Sequence, residues 1–117
     1  MAIGLAEPSQ ANETQPDGVI VTIDMVIKPE LAEAVCAGIP SMFTETVTFK
    51  GFHSIRVVRH KDAGNRLLIV EHWDTEDDYK AYQAWRNRDG ALDRARENLL
   101  SIKADIWPAL VGSAAAA

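Results

Sequence analysis

Aromatic and cationic side chains share one face of a segment near the middle of the sequence. Tyr79, Tyr82, Trp85 and Arg86 recur at the spacing of an α-helix, in which each residue turns by about 100°. A guanidinium among aromatic rings favours a bound anion or a π-system. Two interpretations stay open: Arg86 contacts a ligand, or it extends to the rim of the helix and stacks on a tyrosine. The tyrosines either bind a planar ligand or pack the helix onto a sheet.

The residues before this segment predict a strand that passes into the helix almost without a loop. Residues 67–70 are apolar and partly β-branched, as in a strand that is covered on both faces. Thr75 is suited to cap the helix, and the acidic residues 76–78 follow at its positive end. Because side chains alternate along a strand, we expect Trp73 on one face together with residue 71, and His72 on the other.

Histidines are the first candidates for a base with a pKa near the working pH. His53, His60 and His72 fall on predicted strands, but the alternation does not assign them to a pocket, and a structural or rim position also explains each one. Arg86 and Arg56 could use a preplaced charge to stabilise an anion that develops during a reaction. The sequence contains no metal-site spacing, so we expect no metal, and no phosphate loop, dinucleotide motif or nucleophilic serine motif is present.

Length and composition fit one small folded domain. The chain has 117 residues, a hydrophobic content of 47% and a formal net charge of −5. This charge, without a basic cluster, argues against nucleic acid or an anionic membrane as the main partner. Cys36 is the only cysteine, so no disulfide can form within one chain. No secretory signal pattern and no apolar run of roughly 18 residues is present, so we expect a cytoplasmic protein.

The two ends of the sequence lack periodicity. Residues 1–18 predict a flexible arm and residues 113–117 a frayed tail, which leaves a folded domain at 19–112. The first strand is expected at 19–27, where both faces are largely apolar. Small antiparallel sheets usually leave one face in water, so two apolar faces predict that a second copy of the chain covers the sheet.

The remaining elements complete the order β-α-β-β-α-β, which predicts an α+β ferredoxin-like fold with a four-stranded antiparallel sheet. Pro29 fits the first turn of a helix, in which Pro40 predicts a kink or a break. A second strand is expected at 53–60. After Gly90, a short helical piece groups Leu92, Ala95 and Leu99, and a last strand is expected at 102–110.

Three motifs appear along this pattern. They are Thr46-x-x-Phe49-x-Gly51, the junction Glu71-His-Trp73-Asp-Thr-Glu-Asp-Asp-Tyr79, and Tyr82-Gln-Ala-Trp85-Arg86 followed by Gly90. Together they resemble the antibiotic biosynthesis monooxygenase family, also described as quinol monooxygenases, over roughly residues 19–110. The resemblance implies a homodimeric α+β barrel, in which two sheets pack face to face and each subunit keeps a pocket between its sheet and its helices.

The resemblance also implies an activity. Active members of the family oxidise phenolic or quinol-like compounds with O2 and without metal or flavin, so it implies a small aromatic substrate and no cofactor. Trp73 matches the family's pocket tryptophan, although it could equally be a core residue without a chemical role. A related branch degrades haem with an asparagine in the first strand and a histidine on the second helix. Residues 19–27 contain no asparagine and residues 76–88 contain no histidine, so haem degradation is not expected.

The predicted site therefore has two parts. The predicted catalytic residues are Trp73, Arg86, His72 and His53, and the predicted substrate-binding residues are Tyr79, Tyr82, Trp85 and Arg56. The same scaffold hosts isomerases, polyketide cyclases and non-enzymatic binding proteins, so these stay as alternatives. A pocket that contains a histidine would favour a cyclase, and a pocket filled by its own aromatic side chains would favour a binding or interaction module.

Overall fold

A single four-stranded antiparallel sheet carries the fold. The computed structural model describes residues 17–117, so the arm predicted at 1–18 lies outside the described residues except for its last two positions. The strands are β1 (Val19–Ile27), β2 (Phe52–Arg59), β3 (Arg66–Trp73) and β4 (Leu99–Trp107), in the spatial order β2-β3-β1-β4. The helices are α1 (Ala32–Thr46), α2 (Glu76–Arg86) and α3 (Ala91–Ala95). The predicted α+β ferredoxin-like fold, with a short extra helix before the last strand, is confirmed.

Helix α1 runs without a break through its internal proline. The helix follows a 3-10 turn at Pro29–Leu31, and Pro40 lies inside it. Of the kink or break expected near residue 39, the break is therefore wrong. Pro40 is exposed, so the carbonyl that loses its amide partner can be hydrated and the helix continues.

The last strand starts and ends three residues earlier than predicted. Leu99 has extended backbone angles and pairs with Ile27 across an irregularity in the ladder, so it belongs to β4 and not to the preceding helical piece. Leu92 and Ala95 do lie in α3. Pro108 follows directly after the strand because it has no amide hydrogen to donate to the ladder.

All three helices pack on one face of the sheet. On β1, the side chains of Val19, Val21, Ile23 and Ile27 point toward the helices and are buried. The opposite face, which we call the open face, carries no helix from residues 17–117. Large apolar side chains are exposed there, with Leu68 at 39% and Trp107 at 54% of their full exposure. The apolar character of both faces thus persists in the structure, but within one chain only one face is covered.

The junction between β3 and α2 is fixed by local hydrogen bonds. Thr75 is the N-cap of α2, and its Oγ1 accepts a hydrogen bond of 3.0 Å from the backbone N–H of Asp78, as predicted. The carbonyl of Gly51, just before β2, accepts the N–H of Asp74 at 2.7 Å. Gly51 has φ of +81°, and a Cβ there would lie 2.1 Å from the Asp78 carboxylate, so only glycine fits this turn.

No helix in the described part of the chain is long and apolar enough to cross a membrane.

Candidate active site

A cavity of about 610 Å³ lies between the helices and the sheet. Its walls are mainly aliphatic, which suits a small apolar ligand, since pockets for such ligands are commonly about 300–1,000 Å³. The polar and charged side chains in the wall are Thr46, Glu71, Tyr79, Tyr82, Gln83, Arg86, Asn87, Arg96 and Asn98. Glu71 is the one acidic side chain among them.

Glu71 is a buried carboxylate that is held by a tryptophan. It points toward the helices from β3 and is only 4% exposed. Trp73 lies two residues along the same strand, and its Nε1–H donates a hydrogen bond of 2.8 Å to Glu71 Oε1. Burial raises the pKa of the Glu71 carboxyl, and the Trp73 hydrogen bond and the nearby positive charge of Arg86 partly oppose this increase. The site therefore favours the neutral carboxyl at a higher pH than an exposed glutamate would.

Arg86 connects α2 to the end of α1. Its Nε donates to the hydroxyl of Tyr82 at 2.7 Å, and one Nη donates to Thr46 Oγ1 at 2.8 Å and to the carbonyl of Met42 at 2.9 Å. The guanidinium carbon also lies 4.8 Å from the centre of the Trp85 ring. The side chain is 10% exposed and lines the cavity, so it is both a structural clasp and a cation at the cavity wall.

The two tyrosines differ in what their hydroxyl groups can still do. Tyr82 accepts from Arg86 and is 2.9 Å from Thr46 Oγ1, which in turn donates to the carbonyl of Met42. The proton of Tyr82 is thus directed at Thr46 and not at a ligand. Tyr79 accepts a hydrogen bond from Gln83, and no acceptor for its own O–H lies among residues 17–117. Burial, first of all, raises the pKa of Tyr79, so this phenol stays neutral and can donate into the cavity.

The predicted tryptophans pack behind the cavity instead of lining it. Trp73 is completely buried, with its ring 5.0 Å from that of Tyr82 and 5.3 Å from that of Phe52. Trp85 is half-buried against Phe49, at 4.8 Å between ring centres. Trp73 acts on the cavity through its hydrogen bond to Glu71, and Trp85 through its contact with the Arg86 guanidinium.

The other predicted site residues lie on the open face of the sheet. His53 and His72 stack with 4.5 Å between ring centres, His53 hydrogen-bonds to Asp74, and both rings line a separate depression of about 430 Å³. Arg56 is exposed on β2, and its neighbours Ile55 and Val57 line the main cavity. The structure therefore brings Tyr79, Tyr82 and Arg86 together at one cavity and separates them from His53, His72 and Arg56, because strand alternation sends neighbouring residues to opposite faces. His72 and Trp73 lie on opposite faces, as expected.

The chain was compared with known protein families. The sequence profile described as antibiotic biosynthesis monooxygenase matches residues 18–95. The chain belongs to the antibiotic biosynthesis monooxygenase family. The match covers β1 to α3 and so includes the cavity residues of β3 and α2. A comparison with curated proteins found no match.

Solved structures share the fold of this antibiotic biosynthesis monooxygenase family member. A protein of Deinococcus radiodurans, provisionally named an antibiotic biosynthesis monooxygenase, superposes with a TM-score of 0.70 at 20% identity, covering 85% of this chain and 97% of that chain. A conserved protein of Methanosarcina mazei superposes with a TM-score of 0.67 at 18% identity, covering 80% and 94%. At these identities the likeness shows the fold alone.

The sequence did not identify Glu71 as a functional residue of this family member, although the alternation along β3 placed it on the face of Trp73. The missing signal is burial. An acidic residue in a strand is usually exposed, and only the packing of α2 shows that this one is enclosed. Within residues 17–117, no group of three or more His, Cys, Asp or Glu side chains is arranged to hold a metal ion.

Proposed function

We propose that this protein is a cofactor-independent monooxygenase that oxidises a small phenolic or quinol-like compound with O2. The observation that carries the proposal is the 610 Å³ cavity of a family member, which combines aliphatic walls with a buried carboxylate and a guanidinium. Apolar walls keep water from a reactive intermediate, and a fixed cation favours the anion that forms when a phenol is deprotonated or O2 is reduced.

Three of the predicted site residues support this function by their positions. Arg86 places its charge at the cavity wall, and Tyr79 directs a free O–H toward the cavity. Tyr82 is only 5% exposed, with its ring packed against Trp73 and Phe49, and it supports the site by accepting the hydrogen bond that holds Arg86 at the cavity wall. Trp73 contributes by orienting Glu71, in place of a direct contact with the substrate.

Two features weigh against the alternatives. A cyclase that uses His53 or His72 would need these side chains in the main cavity, and both lie on the open face. A pure interaction module was expected to have a pocket filled by its own aromatic side chains, whereas this cavity remains open beside Tyr79 and Tyr82. The oxygenase is therefore the function that the geometry supports best.

The oxygenase proposal is tested by O2 consumption of metal-free and flavin-free protein with hydroquinones, naphthols and anthrones. We expect uptake above autoxidation for the wild type. Ala104→Trp places a large ring in the cavity wall without removing a polar group and should abolish most of the uptake. Ala37→Trp, on an exposed position of α1 outside the cavity wall, is the matched control and should leave uptake unchanged. No uptake by folded wild-type protein across the panel would contradict the oxygenase.

We also propose that the protein is a homodimer in which the open faces of two sheets pack together. The exposed Leu68, Val58 and Trp107 support this arrangement, because apolar side chains on a sheet face without helices are costly in water. The resulting α+β barrel would cover both faces of β1.

The dimer is tested by measuring mass in solution at micromolar concentration. Wild-type chain is expected at twice the chain mass of 12.8 kDa. Leu68→Asp puts a charge at the centre of the open face and should give monomers, since an unpaired buried charge costs several kcal/mol, on the order of the whole interface energy. Ala37→Asp on the helical side should not change the mass. A wild-type monomer would overturn the dimer.

A further inference from the structure

The function described so far assigns no chemical step to the carboxylate in the cavity. Among residues 17–117, Glu71 is the one carboxylate in the wall of the main cavity, and it is nearly completely buried. A carboxylate is not needed merely to accept a hydrogen bond from a tryptophan. An amide side chain could accept the same bond without the free-energy cost of burying a charge.

One oxygen of Glu71 is free. Oε1 accepts the Trp73 Nε1–H, and no donor to Oε2 lies among the described residues. No buried side-chain oxygen or nitrogen in residues 17–117 lacks a partner, so Oε2 is not sealed into the core but reaches the cavity surface. The Trp73 hydrogen bond fixes the orientation of the carboxyl group and leaves Oε2 to meet a ligand.

The surroundings of Glu71 contain few other charges. From α2, the charge of Arg86 lowers the pKa of Glu71, and after burial, the charge of Glu71 is a further cause that raises the pKa of Tyr79. Arg96, before β4, also lines the cavity, and Glu45 on α1 lies beside Arg86 at 3.6 Å. The residues that β1, β2 and β4 contribute to the cavity wall are aliphatic. Among residues 17–117, Glu71 is therefore the one carboxylate at the cavity wall, and it changes its charge at a higher pH than an exposed glutamate does.

We propose that Glu71 is the catalytic residue that accepts the hydroxyl proton of the substrate, which binds with that hydroxyl at Oε2. This proposal rests on the proposed function for its oxidative step. In the proton transfer, the substrate O–H bond breaks, a carboxylic O–H bond forms at Glu71, and the electron pair stays on the substrate oxygen. The phenolate is the electron-rich species that then reacts with O2, while Arg86 and the Tyr79 O–H stabilise its charge.

Binding without O2 tests the acceptor independently of any activity. The probe is 2-naphthol under anaerobic conditions, since its hydroxyl stays protonated below neutral pH, and 2-methoxynaphthalene is the control probe without the O–H. We expect the affinity of wild-type protein for 2-naphthol to increase as pH rises and Glu71 ionises, by roughly 10- to 100-fold, the value of a charged hydrogen bond. In Glu71→Gln this increase should be absent, and the control probe should bind independently of pH in both proteins.

Steady-state kinetics test the proton transfer itself. For any substrate that supports O2 uptake, kcat/KM of the wild type should decrease as pH falls and Glu71 becomes protonated. This decrease is the acid limb of the pH profile. Glu71→Gln should lower kcat/KM by about 10²- to 10⁴-fold and remove this acid limb. Trp73→Phe keeps the carboxylate but removes the donor that lowers its pKa, so its acid limb should move to higher pH. Glu30→Gln, at an exposed glutamate far from the cavity wall, should behave as the wild type.

A fold control separates loss of function from loss of structure. The fold raises the pKa of Glu71 above its ordinary value of 4.5. The neutral carboxyl therefore contributes fully to the stability of the folded protein below pH 4.5, and this contribution is lost as pH rises through the folded-state pKa. Glu71→Gln is neutral at every pH and should therefore unfold at a higher urea concentration than the wild type at pH 8, and at a similar one at pH 4.

The outcomes are distinguishable. Suppose that O2 uptake is absent, but 2-naphthol binding depends on pH in the wild type and not in Glu71→Gln. This result would contradict the oxygenase and support Glu71 as the proton acceptor. O2 uptake with an unchanged pH profile in Glu71→Gln would support the oxygenase and overturn the acceptor. The acceptor is also overturned if 2-naphthol does not bind the wild type, or if it binds both proteins with the same pH dependence.

Discussion

Trp73→Ala is expected to lower the free energy of unfolding by about 3–5 kcal/mol, the usual cost of removing a buried large aromatic side chain. Trp73 is 0% exposed and lies at the centre of the buried cluster, between Phe52 and Tyr82. A domain of this size is stable by only about 5–15 kcal/mol, so the loss is a large fraction of the total. Urea unfolding followed by far-UV circular dichroism measures it. A decrease in the free energy of unfolding of less than about 1 kcal/mol would contradict this prediction. It would show that the neighbouring side chains fill the space left by Trp73.

A matched pair of substitutions isolates the hydrogen bond to the buried carboxylate. Trp73→Phe and Trp107→Phe each remove an indole N–H, one from Glu71 and the other from Thr22 at 2.8 Å. Trp107 is 54% exposed in the single chain but lies on the proposed dimer face, so both substitutions are measured in the Leu68→Asp background, where water replaces the Trp107 bond and the cost should stay below about 0.5 kcal/mol. At Trp73 we expect about 1–3 kcal/mol, because Glu71 loses the only donor that the described residues offer it. If the two substitutions lower the free energy of unfolding equally, the hydrogen bond from Trp73 to the buried Glu71 carboxyl is not worth more than one at the surface.

Arg86→Ala is expected to lower the free energy of unfolding by about 2–4 kcal/mol and to reduce oxygenase activity as well. The change removes hydrogen bonds to Tyr82, Thr46 and Met42, which join α2 to the end of α1. It also removes the positive charge that lowers the pKa of Glu71, so the acid limb of kcat/KM should move to higher pH. Urea unfolding and the pH profile of O2 uptake measure the two effects.

Two neighbouring substitutions serve as controls for Arg86. Arg86→Lys keeps the charge but lacks the planar guanidinium that contacts three acceptors. Compared with Arg86→Ala, it should return the acid limb of kcat/KM close to its wild-type position but recover less of the folding stability. Arg88→Ala removes a cation 3.8 Å from the centre of the Trp85 ring, but this arginine is exposed and should cost less than about 1 kcal/mol. If Arg88→Ala destabilises the protein as much as Arg86→Ala does, the clasp is not specific to Arg86.

The sequence supports most of the fold because the relevant signals are local. Alternating apolar residues predict β1 with its observed bounds, and the Thr75 hydroxyl caps α2 as expected, since both patterns depend on residues a few positions apart. The errors occur where a long-range contact or solvent exposure overrides the local pattern. Leu99 fits a helical stripe, but pairing with Ile27 draws it into β4, and hydration of an exposed carbonyl lets α1 pass through Pro40.

Some features of the candidate site likewise follow from the sequence, whereas others depend on the tertiary structure. The sequence by itself determined that Tyr79, Tyr82 and Arg86 share a helix face, because helical spacing fixes that relation. Only the tertiary structure decided that this face closes over one side of the sheet, which buries Glu71 and leaves His53 and His72 on the other. It also decided which groups remain free for a ligand: the Tyr82 hydroxyl is committed to Thr46, while Oε2 of Glu71 is not bonded by the described residues. Burial and hydrogen-bond partners come from residues far apart in the chain, so no local pattern carries them.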